Sequence, residues 1–448
     1  MKKATKFAAI ALAASLAMTA VTAPAAQAAP ACPKPATVTM LGNIKPEIKE
    51  QFFAAVKSYN ASQKCYTLKT LPDRRPLTFL QVVTPMYAAK KAPTIMYTLQ
   101  EIPDMANKLM DLKDTKLAKL VPSSLLNAAT IGGKVVGVPS TVEAFGLIYN
   151  KKVLDAAGVD PKKIATRADL EAAFKKVEAS GKKAVRFSSI WWSLGAHVTN
   201  MYFANAAKTH EARLKVLDGL ADGTKKLSAD PVFQNWLATF ELMKKYNSNK
   251  TQTIDATGDT EYADAVAELA KSNVGFWFMG NWAEPSLMAK APEATDFGLM
   301  PLPISNDAKA YGNDSIAVGV PGFFMIDKVQ STPEQRAGAL DFLTWLYTST
   351  KGQHFVADNV DKGGMGFIPV YKGSKVEANT FMSKDISSYV KANKAIEWMN
   401  SYYPAGGQNL YGASGQKLWS DKIDGAAYAA EIEAAWKGAT KTWRGVKK

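Results

Sequence analysis

The sequence predicts an α/β protein with two lobes, in which mainly parallel strands are flanked by helices. The chain has 448 residues, which exceeds what a single compact core accommodates, so two lobes are expected. Strand-like and helix-like segments also alternate in the first part of the chain, as they do in parallel sheets covered on both faces. No internal repeat interrupts this order.

The alternation is clearest between residues 37 and 99. Two helical patterns, over residues 46–62 and 77–91, separate strand-like runs at 37–41, 66–71 and 93–99. Further strands are predicted at 134–140, 146–150, 274–282, 296–303 and 316–326, and helices at 167–181, 230–246, 260–272 and 333–349, with a mostly helical tail from 372. The proline-containing segments 138–140 and 301–303 are predicted to cross between the lobes, because proline stiffens an extended chain.

Residues 1–28 have the pattern of a secretory signal peptide. Three lysines within the first six residues precede an apolar stretch, and the AQA at 26–28 is a small-x-small cleavage site. Cleavage after Ala28 leaves 420 residues and lowers the net charge from +15 to +12, since the segment carries three lysines and no acid. A membrane anchor is the alternative, although the apolar run is shorter than the roughly 20 residues that span a bilayer. Cys32 raises a lipid anchor as a further alternative.

The mature chain has two cysteines, Cys32 and Cys65. An even pair in an exported protein predicts a disulfide. Each cysteine precedes a strand-like run, and neighbouring strands lie about 4.8 Å apart, a separation that suits a bridge between their starts.

The sequence offers few residues for catalysis. Its three histidines form no HExxH pattern or metal-ligand pair, and no GxSxG nucleophile elbow or phosphate-binding GxxxxGK[ST] loop occurs. The lysines are scattered, which is typical of solvated helix faces rather than of nucleic-acid binding. We therefore expect no cofactor and no nucleic-acid partner. A pair of carboxylates could perform glycoside hydrolysis. Asp and Glu are so common that the sequence neither identifies nor excludes such a pair.

Several aromatic residues stand where they suit a sugar better than a core. Trp191 and Trp192 are adjacent in a predicted strand or loop, where neighbours cannot both face one core. Trp282 follows a strand end. The C–H face of a sugar ring packs on such aromatic rings while its hydroxyls need fixed polar groups. For each tryptophan taken singly, a place in the core is the alternative.

The segment VPSTVEAFGLIYNKKVL, residues 138–154, resembles the lobe-crossing segment of maltose-binding proteins. TIMYTLQEIPDMA, VGFWFMGNWAE, DFGLMPLP and GFIPVYKG are similar to successive segments of the family 1 extracellular solute-binding proteins. The resemblance implies a two-lobed periplasmic-binding-protein clamshell with three interlobe crossings and a ligand cleft. It implies a first lobe of 29–142 plus 302–347 and a second lobe of 143–301 plus 348–448. It further implies a monomer at the outer face of the membrane that delivers solute to an ABC permease.

The resemblance also implies ligand-binding residues. Glu143 at the first crossing would accept hydrogen bonds from sugar hydroxyls, with a structural residue in a salt bridge as the alternative. Trp282 would be the main stacking residue. The other positions that carry over are Asn43, Tyr97, Gln100, Trp191 or Trp192, and, in a looser alignment, Tyr411. Maltose binders have an acid where Gln100 stands, which argues against maltose itself.

A sugar, in particular an oligosaccharide, is the first ligand class that these features indicate. An anionic solute such as a glycerol phosphate is the second, with Arg74 or Arg75 as its anchor. A secreted carbohydrate-active enzyme is the third.

Overall fold

The computed structural model describes residues 34–42, 44–72, 74, 77–250, 254, 258–291, 296–404 and 406–438. The predicted signal peptide, Cys32, Asn43 and Arg75 lie outside these residues. Among the helices within them, none combines the length and the apolar character that a bilayer crossing requires.

The structure consists of short strands and helices in alternation. The strands are β1 (Ala36–Gly42), β2 (Tyr66–Thr70), β3 (Ile95–Thr98), β4 (Thr130–Ile131), β5 (Lys134–Val135), β6 (Val138–Pro139), β7 (Glu143–Asn150), β8 (Lys183–Arg186), β9 (Val274–Gly280), β10 (Phe297–Met300), β11 (Ile316–Gly319), β12 (Phe323–Ile326) and β13 (Ala395–Glu397). The α-helices are α1 (Lys49–Ser62), α2 (Phe79–Ala88), α3 (Ile102–Met105), α4 (Lys116–Lys119), α5 (Lys151–Ala156), α6 (Arg167–Ala179), α7 (Trp191–Ser193), α8 (Thr199–Asn205), α9 (His210–Asp222), α10 (Pro231–Lys245), α11 (Asp259–Ala270), α12 (Glu284–Lys290), α13 (Pro333–Thr348), α14 (Thr350–Ala357), α15 (Phe381–Lys391), α16 (Gly407–Trp419) and α17 (Gly425–Gly438).

The first lobe is built on a sheet with the strand order β2-β1-β3-β12-β6. Strands β1, β2 and β3 are parallel, whereas β12 runs antiparallel to both β3 and β6. Side chains from α1, α13 and α14, among them Phe52, Phe342 and Val356, form a core on one face of the sheet. A second core covers the other face and includes Val83 from α2. The predicted three-layer arrangement is confirmed here.

Local sequence sets the starts of these helices. Thr78 and Gln81 form a reciprocal capping box at α2, and Thr332 and Gln335 form another at α13. In each box the threonine hydroxyl accepts a backbone N–H that has no partner within the helix, and the glutamine side chain accepts the threonine N–H. Pro333 follows at the first helical position of α13, where no N–H is needed.

The second lobe is built on a sheet with the strand order β13-β11-β7-β9-β8, and β10 also pairs with β7. Strand β7 runs antiparallel to β9, β10 and β11, while β8 is parallel to β9. One continuous core joins this sheet to its helices and includes Phe145, Phe174, Trp236 and Trp436. The lobe is therefore mixed rather than mainly parallel.

The chain passes between the lobes at three places. The first crossing joins β6 to β7, the second joins β11 to β12, and the third lies between Tyr371 of the first core and Met382 of the second. Ser140 donates from both its backbone N and its Oγ to the carbonyl of Gly322, each at 3.1 Å. Thr141 Oγ1 donates to the carbonyl of Ile368 at 3.0 Å and the Tyr371 hydroxyl donates to the carbonyl of Pro139 at 2.6 Å, so the segment that leads into the third crossing is hydrogen-bonded to the first crossing.

After residue 300, the two hydrophobic cores place the boundaries between the lobes at other positions than the sequence analysis predicted. Leu302 and Ile316 pack in the second core, so the segment 301–303 is not a crossing and the first lobe does not resume at 302. It resumes at β12, after the second crossing. Val356 and Tyr371 pack in the first core, so α14 and the segment after it belong to the first lobe and not, as predicted from 348 onward, to the second.

Candidate functional site

The first crossing leads directly into a buried carboxylate. Glu143, the first residue of β7, is 2% exposed. Its Oε1 accepts a short hydrogen bond from Nζ of Lys45, which belongs to the loop after β1 in the first lobe. Its Oε2 is buried and has no hydrogen-bond partner in the described structure. Since a buried carboxylate oxygen is costly to leave unpaired, Glu143 retains capacity for one more donor.

Trp282 lies beside this ion pair, in a single 3-10 turn at the end of β9. The Lys45 ammonium is 5.1 Å from the centre of the indole ring, within cation–π range. Trp398 stacks with Trp282, with 6.0 Å between the ring centres and 21° between the ring planes. A Cβ at Gly280 would come within 2.0 Å of the indole, so only glycine lets the ring lie against the strand end.

His197 supports Trp282 from within the second lobe. It belongs to a π-helical turn, Leu194–Val198, a rare conformation that is frequent at functional sites. Its ring centre is 4.6 Å from that of Trp282 and 4.9 Å from that of Phe145. Burial, with a smaller contribution from the Lys45 charge, lowers the pKa of His197 well below its usual value. The imidazole is therefore neutral near pH 7 and packs as an aromatic ring.

Trp191 and Trp192 form a turn of helix rather than the predicted strand or loop. Both are half-buried. The Trp192 ring contacts His197 at 5.7 Å and Tyr262 at 6.1 Å between ring centres, which links it to the aromatic cluster behind Trp282. The Trp191 carbonyl faces α16 so closely that a Cβ at Gly412 would lie 2.2 Å from it.

Tyr97 lies at the carboxyl end of β3, next to the crossings. Its hydroxyl is 3.1 Å from Oγ of Ser140, and its ring centre is 4.9 Å from that of Phe324. Burial is the main cause that raises the pKa of the Tyr97 phenol, so the group is a neutral hydrogen-bonding hydroxyl. Tyr97 thus lies at the end of β3, as predicted, and its hydroxyl already makes one hydrogen bond to Ser140.

The side chains of Gln100 and Tyr411 contact other protein groups and are not available to a ligand in this structure. Gln100 is 5% exposed, and its amide is engaged with Gln408 of the second lobe. Tyr411 is fully buried in the core of the second lobe, 4.9 Å from Tyr403 between ring centres. Burial raises the pKa of the Tyr411 phenol well above its usual value. The prediction of Tyr411 as a stacking residue is wrong for this structure, because no face of its ring is free.

Sequence reasoning missed Lys45 and His197. Lys45 is one of many lysines, and nothing around it marks an ion pair with a residue 98 positions away. A signal for His197 existed: it stands five residues after Trp192 among small and apolar residues. The described residues contain no group of three His, Cys, Asp or Glu side chains that could hold a metal ion. Among the described residues, the surroundings of Glu143 offer one carboxylate oxygen, one ammonium and one indole ring, and Tyr97 adds a hydroxyl next to the crossings.

Two sequence comparisons relate the chain to known proteins. A family model described as bacterial extracellular solute-binding protein matches residues 54–394. The melibiose/raffinose/stachyose-binding protein of Bacillus subtilis is 22% identical over 314 residues, which covers 69% of this chain and 68% of that protein.

Solved structures show the same fold. A Bacillus licheniformis sugar transporter protein in complex with stachyose superposes with a TM-score of 0.69 at 15% identity, covering 91% of this chain and 100% of that chain. A chitin oligosaccharide binding protein superposes with a TM-score of 0.71 at 17% identity, covering 90% of this chain and 98% of that chain.

Proposed function

The chain belongs to the bacterial extracellular solute-binding proteins, and from this premise we propose that it captures an oligosaccharide between its lobes for an ABC import permease. The observation that carries the sugar is the half-satisfied Glu143 carboxylate beside the Trp282 indole. A sugar hydroxyl donates to the open Oε2 while the C–H face of the ring packs on the indole. Lobe closure around the sugar produces the form that the permease recognises.

A neutral sugar fits these groups better than an anionic solute does. The buried Glu143 charge repels a phosphate or carboxylate, and Lys45, the cation that the described residues place beside it, is already paired with it. Arg74, one of the two arginines considered as an anchor, is exposed. The similarity to proteins that bind melibiose, raffinose, stachyose or chitin oligosaccharides supports an oligosaccharide.

We propose that the protein performs no chemistry on its ligand. Its family and its relatives are binding proteins, and the chemical groups around Glu143 serve recognition. The proposed contacts are Glu143, Trp282, Tyr97 and Lys45, with Trp191 or Trp192 and Asn43 as the remaining expectations. The protein acts outside the cytoplasm as a monomer, after cleavage of the predicted signal peptide behind Ala28.

A thermal-shift screen tests the function. Neutral oligosaccharides such as raffinose, stachyose, maltotriose and a chitin trisaccharide are compared with glycerol 3-phosphate. A sugar present at 100 times its Kd stabilises the protein by about 2.7 kcal/mol. Stabilisation by glycerol 3-phosphate but by no neutral sugar would reject the proposal in favour of an anionic ligand. Chromatography of the same sugars after incubation would reveal turnover and thereby an enzyme.

We also expect Cys32 and Cys65 to form a disulfide in exported protein. Ala36 N donates to the carbonyl of Cys65 at 3.0 Å, which places Ala36, four positions after Cys32 in the sequence, beside Cys65. A bridge that closes a loop of this length stabilises by roughly 3–4 kcal/mol in the chain-entropy model. Mass spectrometry of unreduced, alkylated protein checks this. Alkylation of both thiols without prior reduction would contradict it.

A further inference from the structure

Gln100 makes a contact between the lobes that uses both ends of its side-chain amide. Its Oε1 accepts from the backbone N–H of Gln408 at 3.3 Å, and its Nε2 donates to Oε1 of Gln408 at 3.3 Å. Gln100 follows β3 in the first lobe, whereas Gln408 belongs to α16 in the second lobe. The two residues are 308 positions apart, and Gln100 is only 5% exposed.

The contact with Gln100 provides a hydrogen-bond acceptor at the start of α16. The first N–H groups of a helix have no acceptor within the helix and require an outside partner. The residue before α16, Gly406, has φ 72°, a conformation that favours glycine, and it has no side chain with which to cap. Gln408 is the second residue of α16, so its N–H is one of these groups. The Gln100 carbonyl oxygen supplies the missing acceptor.

We propose that Gln100 is an interlobe cap, a residue that stabilises the closed arrangement of the lobes by capping α16 from the opposite lobe. Both partners belong to the protein, so the contact contributes equally whatever sugar is bound. Gln100 therefore sets the closing equilibrium and not the choice of sugar. The inference rests on the two-lobed fold and is independent of the ligand proposed above.

The interlobe distance in the protein without added sugar tests this directly. Dyes on Lys57 of α1 and Ala430 of α17, one on each lobe, report it by single-molecule FRET. One hydrogen bond corresponds to a factor of about five in an equilibrium constant. We expect Gln100→Ala to shift the lobes toward open by about fivefold or more. Gln408→Ala keeps the backbone N–H and should shift them less.

Gln416→Ala is the matched control. Gln416 lies on the same helix and donates to the Ser189 carbonyl at 3.0 Å, within the second lobe. Its removal should leave the interlobe distance unchanged. Gln100→Glu loses the donated hydrogen bond but keeps an acceptor for the backbone N–H of Gln408 and adds a charge that the helix N-terminus favours, so this variant should stay more closed than Gln100→Ala. An unchanged distance in Gln100→Ala, or opening in Gln100→Glu equal to that in Gln100→Ala, overturns the proposal.

Sugar binding provides the second measurement. If raffinose or a chitin trisaccharide binds, Gln100→Ala should weaken every sugar that binds by the same factor, since only the closing equilibrium has changed. A change in the ratio of affinities between sugars would instead make Gln100 a ligand contact. If no sugar binds, the proposed function fails, while the FRET result still decides the role of Gln100.

Discussion

Trp282→Ala is expected to weaken sugar binding by about 1–3 kcal/mol, the cost of removing a stacked aromatic from a desolvated site. The same substitution should lower the free energy of unfolding by about 3–5 kcal/mol, as for other buried aromatic residues. The second effect follows from the packing of Trp282, which is only 8% exposed and contacts Trp398 and His197.

Two further variants separate these effects. Trp345→Ala removes a half-buried tryptophan that packs on Tyr59 in the first lobe, 5.5 Å away between ring centres. It should lower the melting temperature without changing the Kd of the sugar. Trp282→Phe should restore much of the stability and part of the binding. Calorimetric titration and melting curves measure both quantities. Normal affinity in a destabilised Trp282→Ala would mean that Trp282 is a core residue only.

Glu143→Gln should reduce sugar binding by roughly 1.5–3 kcal/mol, the contribution of a hydrogen bond to a charged group. The free energy of unfolding should change by about 1 kcal/mol or less. Glutamine still offers Lys45 an acceptor, and the ammonium, on a side chain that is 29% exposed, can turn toward water. Removing a buried charge also removes its desolvation cost. Calorimetry and a melting curve of the unliganded variant check both numbers.

Glu284→Gln provides the matched control for Glu143→Gln. Glu284 is also buried, at 4% exposure, but both of its oxygens accept backbone N–H groups, from Phe381 and Met382. Its replacement should lower the stability and leave the affinity unchanged. The same pattern in Glu143→Gln, unchanged affinity with a lowered melting temperature, would make Glu143 structural. Combining Glu143→Gln with Lys45→Met in a double-mutant cycle measures the coupling of the ion pair.

The fold was largely predictable because it depends on periodic patterns. Apolar residues at strand and helix spacing gave β1, β2 and β3 and the helices between them, and the proline before Ser140 marked the first crossing. The prolines near Leu302 led to a wrong prediction of a crossing, since Leu302 packs in the core of the second lobe. Proline restricts the backbone but does not determine which core the neighbouring side chains join.

The site was less predictable because its key contacts join distant residues. Glu143 and Trp282 could be named from the segments that contain them, and they are close enough for one lysine to contact both. The lysine itself could not be named from its neighbours. The π-helical turn around His197 has no characteristic periodicity in five residues. Tyr411 had a readable warning, because Leu418 follows seven residues later on the same helix face, as core positions do.

The strand order of the first sheet has a consequence for how the protein is made. Strand β12 fills the edge of β3 and is the partner of β6, yet it is synthesised only after β7 to β11 of the second sheet. The second sheet in turn needs β13. The first lobe therefore cannot finish folding until β7 to β11 of the second have been produced, and the second lobe finishes last. Until residue 326 has emerged, β3 presents an unpaired edge to other chains, and such edges are sites of aggregation. A chaperone that covers this edge during export would protect the chain at its most vulnerable stage.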